Sequence, residues 1–422
     1  MASNAGKDNR IRSYSLDVLR CIAMVMVVIL HYLDKGGILR SLSDEGGFSA
    51  ADCAAWIMEA LSIVAVNLYM LLSGYLLSRS SFKLSRLAGL VCKVWLYSVI
   101  VGFIGIALNT PAEPVDTYFI LRLIFPISMN TYWFMTAYIF FYILVPVLSI
   151  AADRMDKAGM KLLLGCLIFF HVIIKTVVPA QLTGDAGGMD AMWYIILFFV
   201  AAYIRKFTPY GDMSQAGRPV SGTVSGCRTA SDVKTTSVGT SDGKTASGKK
   251  RPAGFFFAAY ILFTLLIFAE AYILRLVYLK TGSLSYILDI SYSYNHLLVL
   301  ASSVALFTAF LCVKVPEKAG RVFAFLGKYS LGVYLLHENL SVRYAWEPVL
   351  LSGQVTGVIQ TVLFPVFAGI IVFAAGVLID FLGSSAARIL INAAKKTGVF
   401  NKLTAAFSKA DSVFNGSAGT KG

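Results

Sequence analysis

Ten apolar stretches, each about as long as a bilayer-crossing helix, decide what this chain can become. They lie at about 15–33, 57–78, 88–108, 131–150, 161–179, 191–206, 254–279, 294–313, 328–346 and 355–382. The chain is 57% hydrophobic and only 14% charged, with a mean hydropathy of +0.71. That balance excludes an ordinary soluble domain. The reading is an all-α integral membrane protein of about ten transmembrane helices.

Two tails and one interruption frame these spans. Residues 1–13 are a basic tail, 14–207 carry spans one to six, and 254–383 carry spans seven to ten. A second basic tail runs over 384–422. Between the two membrane parts, 208–253 is rich in Gly, Ser, Thr and Lys and nearly free of aliphatics. Such a stretch cannot bury enough apolar surface to order itself, so it reads as a flexible cytoplasmic linker. The loops after the odd-numbered spans carry only Lys35, Arg40, Arg122, Lys280 and Arg343, and most of the 37 basic residues fall on the opposite side. The positive-inside bias then puts both termini in the cytoplasm and makes the chain a multi-pass protein of the plasma membrane. The first span reads as an uncleaved anchor. The six cysteines show no disulfide or zinc spacing. No metal and no nucleic-acid partner is expected, and no P-loop or Gly-x-Ser-x-Gly elbow occurs.

The first span holds the most informative pair. Arg20 and His31 are eleven residues apart, about three helical turns, so they project from nearly one face roughly 16 Å apart along the axis. Ionisable groups in a membrane helix usually face a bundle interior or a wet cavity. With the termini inside, Arg20 stands at the cytoplasmic mouth and His31 deeper, toward the outer half. An elongated cytosolic anion with a reactive far end suits this face. Arg20 would hold phosphate through charge-assisted hydrogen bonds, and His31 would deprotonate an acceptor hydroxyl. Acyl-coenzyme A is such a molecule. The bland alternative is that both residues mark span ends. His337, late in the ninth span beside Glu338, is a second histidine for the same cavity or an interfacial one. His171 and Lys175 line a pore or snorkel, and His296 reads as interfacial. Glu270 and Arg275 read as packing or cavity-lining residues, and Arg343 with Glu347 as a structural pair. Tyr132, Tyr138 and Tyr142 read as lining or packing residues; lining a cavity, they would suit a sugar.

Four motifs in order resemble the acyltransferase-3 family of bacterial integral-membrane acyltransferases. Asp17-x-x-Arg20 with His31 after ten further residues is similar to that family's Arg-x10-His signature. Asn67 to Leu76, containing Ser73-Gly74-Tyr75, is similar to its second-span motif. Tyr132-Trp133-Phe134 leads to Tyr138 and Pro146, and Leu326 to His337 is similar to its ninth-span signature. The likeness runs from about residue 12 to 382 without the linker.

The resemblance implies transfer of an acyl group, usually acetyl, from cytosolic acyl-CoA to a hydroxyl of a cell-surface polysaccharide or lipid-linked glycan. By it, His31 is the catalytic base or acyl carrier, with His337 as a second catalytic candidate. Arg20 binds the donor. The family's Arg-x-x-Arg donor pair falls on Lys83-Leu84-Ser85-Arg86, where lysine cannot offer a bidentate fork. Asp17, Asn67, Ser73, Tyr75, Trp133, Tyr138 and Glu338 become acceptor-binding or cavity-lining candidates. Where one branch of the family has Trp-Ser-Leu and then a glutamate, this chain has Trp133-Phe134-Met135 and then Tyr138. That departure favours exopolysaccharide, capsule or lipid-linked glycan over peptidoglycan or lipopolysaccharide. No tightly bound cofactor is expected; acyl-CoA is a co-substrate, and polysaccharide-assembly proteins are candidate partners. The rival readings are a transporter of a small solute such as serine, an exporter of acylated glycan, and a non-catalytic scaffold.

Overall fold

The computed structural model describes residues 13–80, 82–177, 186–211, 251–283, 285–395 and 404–412. The N-terminal tail, most of the expected linker at 208–253 and much of the C-terminal tail lie outside the described residues. No strand occurs among the described residues. In hydrocarbon, a helix satisfies its own backbone polar groups, so apolar runs of this length have no cheaper state.

Helices sort into an inner set and an outer set. The inner set begins with α1 (Tyr14–Lys35), where Leu19, Ala23, Val28, Tyr32 and Leu33 have no exposed surface. Beside it stand α2 (Ala50–Ser62) and α3 (Ala65–Leu77), which together form the second crossing. The outer helices include α4 (Leu84–Ala107), followed by a short α5 (Thr117–Ile124), and α6 (Trp133–Arg154). The fifth crossing is α7 (Lys157–Ile168) and α8 (Ile174–Val177), joined by a π-helical turn at Phe169–Ile173 that contains His171. Next come the inner α9 (Ala191–Phe207), the outer α10 (Ala253–Thr281) and the inner α11 (Leu297–Cys312). The series closes with α12 (Glu317–Lys328), α13 (Ser330–His337), α14 (Trp346–Leu350) and the long α15 (Val358–Ala394). Two-thirds or more of the α1, α2–α3 and α11 crossings is buried, against 22–33% for α4, α6, α10 and α15. The outer helices present Ile100, Phe103, Phe140, Val147, Leu262, Ile273, Phe367 and Leu378 outward. Apolar side chains so exposed are costly in water and at home in lipid.

Three expected spans come out differently. The second is broken at Ile63–Val64, between α2 and α3. The sixth, α9, has 17 residues, about 26 Å, so it crosses only as a short helix. The ninth starts earlier and stops earlier than 328–346: α12 and α13 meet at Tyr329, and the helix ends at His337. Its first half carries Glu317, Lys318, Arg321 and Lys328, which is why it does not read as one apolar run. Eight helices among the described residues are long and apolar enough to cross a membrane; α9 and the broken α12–α13 account for the other two expectations.

Small residues bring the site-bearing helices together. A Cβ at Gly74 of α3 would lie 2.8 Å from the Phe198 Cα of α9, and one at Gly376 of α15 would lie 2.8 Å from the Val333 Cα of α13. Close backbone approach at small residues is how helices associate in lipid, where no hydrophobic force separates them from the solvent. The Ser73-Gly74-Tyr75 motif is thus partly a packing device.

Arg275 of α10 is 2% exposed. Its guanidinium donates to the Leu42 carbonyl at 2.7 Å and to the Asp44 and Gly46 carbonyls, over the Phe48 ring. It therefore ties down the loop after α1 instead of lining a cavity. In that loop, the Arg40 guanidinium and the Gly46 N–H hold the Asp44 carboxyl down at about 2. His296 stands at the start of α11, fully buried and 3.3 Å from Glu270. One further expectation is corrected here. Arg343 donates to the Thr131 and Glu338 carbonyls and approaches the Glu338 carboxylate, not Glu347.

Candidate active site

The local chain explains how the two histidines meet. His31 lies one turn before the end of α1, and His337 is the last residue of α13. Because α13 stops there, Glu338 turns back toward α1 rather than continuing up a helix. The result is a compact cluster. His31 Nδ1 is 3.0 Å from His337 Nε2 and 3.3 Å from Glu338 Oε1. Lys35, one turn after His31, pairs with Glu338 Oε1, and Arg343 stands 4.0 Å from Oε2. His337 Nδ1 is 2.6 Å from the Val333 carbonyl. His337 and Glu338 are each 3% exposed.

These contacts fix the tautomers. A carbonyl only accepts, so His337 Nδ1 must carry hydrogen and donate to Val333. Neutral His337 then presents the Nε2 lone pair, which accepts from His31 Nδ1–H. His31 is left with a bare Nε2, a ready base. If that nitrogen takes a proton, the Glu338 carboxylate stands beside the resulting imidazolium. Glu338 is itself neutralised by Lys35 and Arg343, which removes most of the cost of burying it. His31, His337 and Glu338 also present three metal-type ligand atoms within 4.8 Å of one another. The Lys35 ammonium already occupies the carboxylate, so the cluster is satisfied by the protein's own cations.

His31 lines a chamber of about 190 Å³ together with Tyr69, Ser73, Trp133, Tyr138 and Tyr334, among mostly apolar neighbours. A second cavity, of about 410 Å³, is lined by Arg20 and Arg86 and shares Tyr69, Ser73 and Tyr138 with the chamber. Those three residues are the wall between the two spaces. Arg20 holds Asp17 at 3.2 Å and keeps a quarter of its side chain exposed. One of the two tyrosines of that wall, Tyr69, donates to the Arg20 carbonyl.

The expected site residues therefore divide. His31, Ser73, Trp133 and Tyr138 line the chamber; Arg20, Ser73, Tyr138 and Arg86 line the mouth. His337 and Glu338 contact His31 and line neither space. Asp17 is buried against Arg20. Lys83, exposed at the start of α4, lines neither space. Asn67 is a packing knot: it is fully buried, donates to the Tyr294 carbonyl and Ser303, and accepts from Trp193. Tyr75 also lines neither space, since its hydroxyl donates to the Gly211 carbonyl and its ring lies under Arg205. The reading from sequence missed Lys35, which it placed in an outer loop. The helical i, i+4 spacing from His31 was the available signal. It missed the pairing of Arg343 with Glu338 because that depends on where α13 stops.

Fold and site together define a polytopic membrane protein with a histidine cluster at one chamber and a basic cavity on the other side of a shared wall. The chain belongs to the Acyl_transf_3 family: the family's model, an acyltransferase domain, matches residues 13–381. It is thus a membrane acyltransferase, with an acyl donor and an acceptor as its substrates. No curated protein and no solved structure matches the chain.

Proposed function

We propose that this enzyme moves an acyl group, acetyl in the simplest case, from cytosolic acyl-CoA to a hydroxyl of a cell-surface polysaccharide or lipid-linked glycan at the plasma membrane. The observation that carries the reading is a pair of adjacent cavities sharing the wall of Tyr69, Ser73 and Tyr138, with Arg20 and Arg86 lining one and His31 the other. The cations hold the donor's phosphates, and the thioester reaches the chamber. His31 Nε2 takes the proton from the acceptor hydroxyl as its oxygen attacks the thioester carbonyl. Glu338 and His337 keep the ring in its reactive tautomer and support the charge it gains. The proton then passes to the departing thiolate of coenzyme A. The basic mouth faces the cytoplasm, in keeping with the charge bias of the loops.

Purified protein given acetyl-CoA tests this directly. Turnover in the wild type, lost in His31→Ala with donor binding intact, supports it. Absence of any binding or consumption of acyl-CoA by the wild type would sink it.

A further inference from the structure

The acyl-transfer reading supplies a base but leaves the developing oxyanion without a partner. When the acceptor oxygen bonds to the thioester carbon, the carbonyl π pair moves onto its oxygen. That charge needs a hydrogen-bond donor already in place. We propose that Tyr334 is this donor, a catalytic residue whose hydroxyl binds the thioester oxygen and the oxyanion formed from it; the proposal rests on the acyl-transfer reading above.

Two independent observations point to it. Tyr334 lines the same chamber as His31 and lies one turn before His337 on α13, its ring edge-on to the His337 ring at 6.0 Å. Its side chain is 6% exposed, and its hydroxyl is buried with no hydrogen-bond partner among the described residues. A buried hydroxyl left unpaired is unfavourable. A ligand carbonyl in the chamber would complete it. The neighbouring tyrosines are not in the same condition. Tyr132 donates to the Leu335 carbonyl, and Tyr69 to the Arg20 carbonyl. Tyr194 also has a buried, unpartnered hydroxyl, but it packs in the core against Phe134 and Phe141 and does not line the chamber.

In the full step, the new C–O bond forms as the acceptor proton goes to His31 Nε2. Tyr334 O–H donates to the oxyanion without giving up its proton. Collapse restores the C=O, breaks C–S, and returns the His31 proton to the thiolate. Ester and free coenzyme A thiol leave; no oxidant or other reactant is required.

Tyr334→Phe removes the hydroxyl alone, and Tyr194→Phe is the matched control. With acetyl-CoA as donor, Tyr334→Phe should lower kcat by about 10²–10³-fold. Its donor KM should stay at the wild-type value and its unfolding temperature should not fall, and Tyr194→Phe should turn over normally. Wild-type kcat in Tyr334→Phe overturns the proposal, as does an equal loss in both variants or a lowered unfolding temperature for Tyr334→Phe alone. If wild type and both variants all fail to consume acetyl-CoA, the donor reading itself is overturned and this role goes with it.

Discussion

The two ends of α1 solve opposite problems with the same kind of residue. At one end Arg20 keeps a single close acidic partner and open surface, beside the exposed Arg86. At the other, His31 sits among His337, Glu338, Lys35 and Arg343, and the one carboxylate is answered by two cations. Phosphate recognition needs positive charge that a mobile ligand can reach. Proton transfer needs a ring held in one tautomer and shielded from competing water. The mouth should therefore tolerate change by degrees, whereas the histidine end should fail as a unit.

Substitutions can break that contrast, beginning with the most severe. His31→Ala should lower turnover by about 10³-fold, in the range of a lost general base, while acyl-CoA binding by titration persists. A parallel loss of binding would mean that the two ends are not separable. Glu338→Gln should be the next most damaging, because it leaves the half-buried Lys35 and Arg343 without their buried carboxylate. Breaking one partner of a buried pair costs about 3–5 kcal/mol, so the unfolding temperature in detergent should fall together with kcat. The Lys35→Gln/Glu338→Gln double variant should regain part of that stability; a further fall would refute the pairing. Arg20→Ala should raise the donor KM by about tenfold or more with kcat nearly kept, as expected for a hydrogen bond to a charged group. Raising ionic strength should shrink the difference between wild type and Arg20→Ala. Lys83→Ala should be the mildest, with a free-energy change within about 0.5 kcal/mol; a KM effect matching that of Arg20→Ala would place Lys83 in the mouth after all.

The parts of the site readable from sequence were those that one helix determines. Arg20 and His31 share a face because eleven residues return nearly to the same angle on a helix. Ser73 and Tyr138 were found by motif, and both line the two adjacent cavities. Asn67 and Tyr75 belong to the same motifs yet are spent on packing, because an amide or phenol in a membrane helix must first satisfy its own polar atoms. No periodicity distinguishes the two uses.

Sequence alone determined the helical class and most crossing segments, since each is a local sum of apolar side chains over about 20 residues. It also placed Arg20 and His31 on one face of α1. Only the tertiary structure decided that the ninth crossing breaks at Tyr329 and stops at His337, that Glu338 therefore folds back onto His31, and that Lys35 and Arg343 complete its charge balance. The contacts of Glu338 with His31 and Lys35 join residues about 300 positions apart, and their geometry depends on how closely α13 packs on α15 at Gly376 and where the chain turns after it. Packing distances of that kind are set by many side chains at once, so no single stretch of the sequence encodes them.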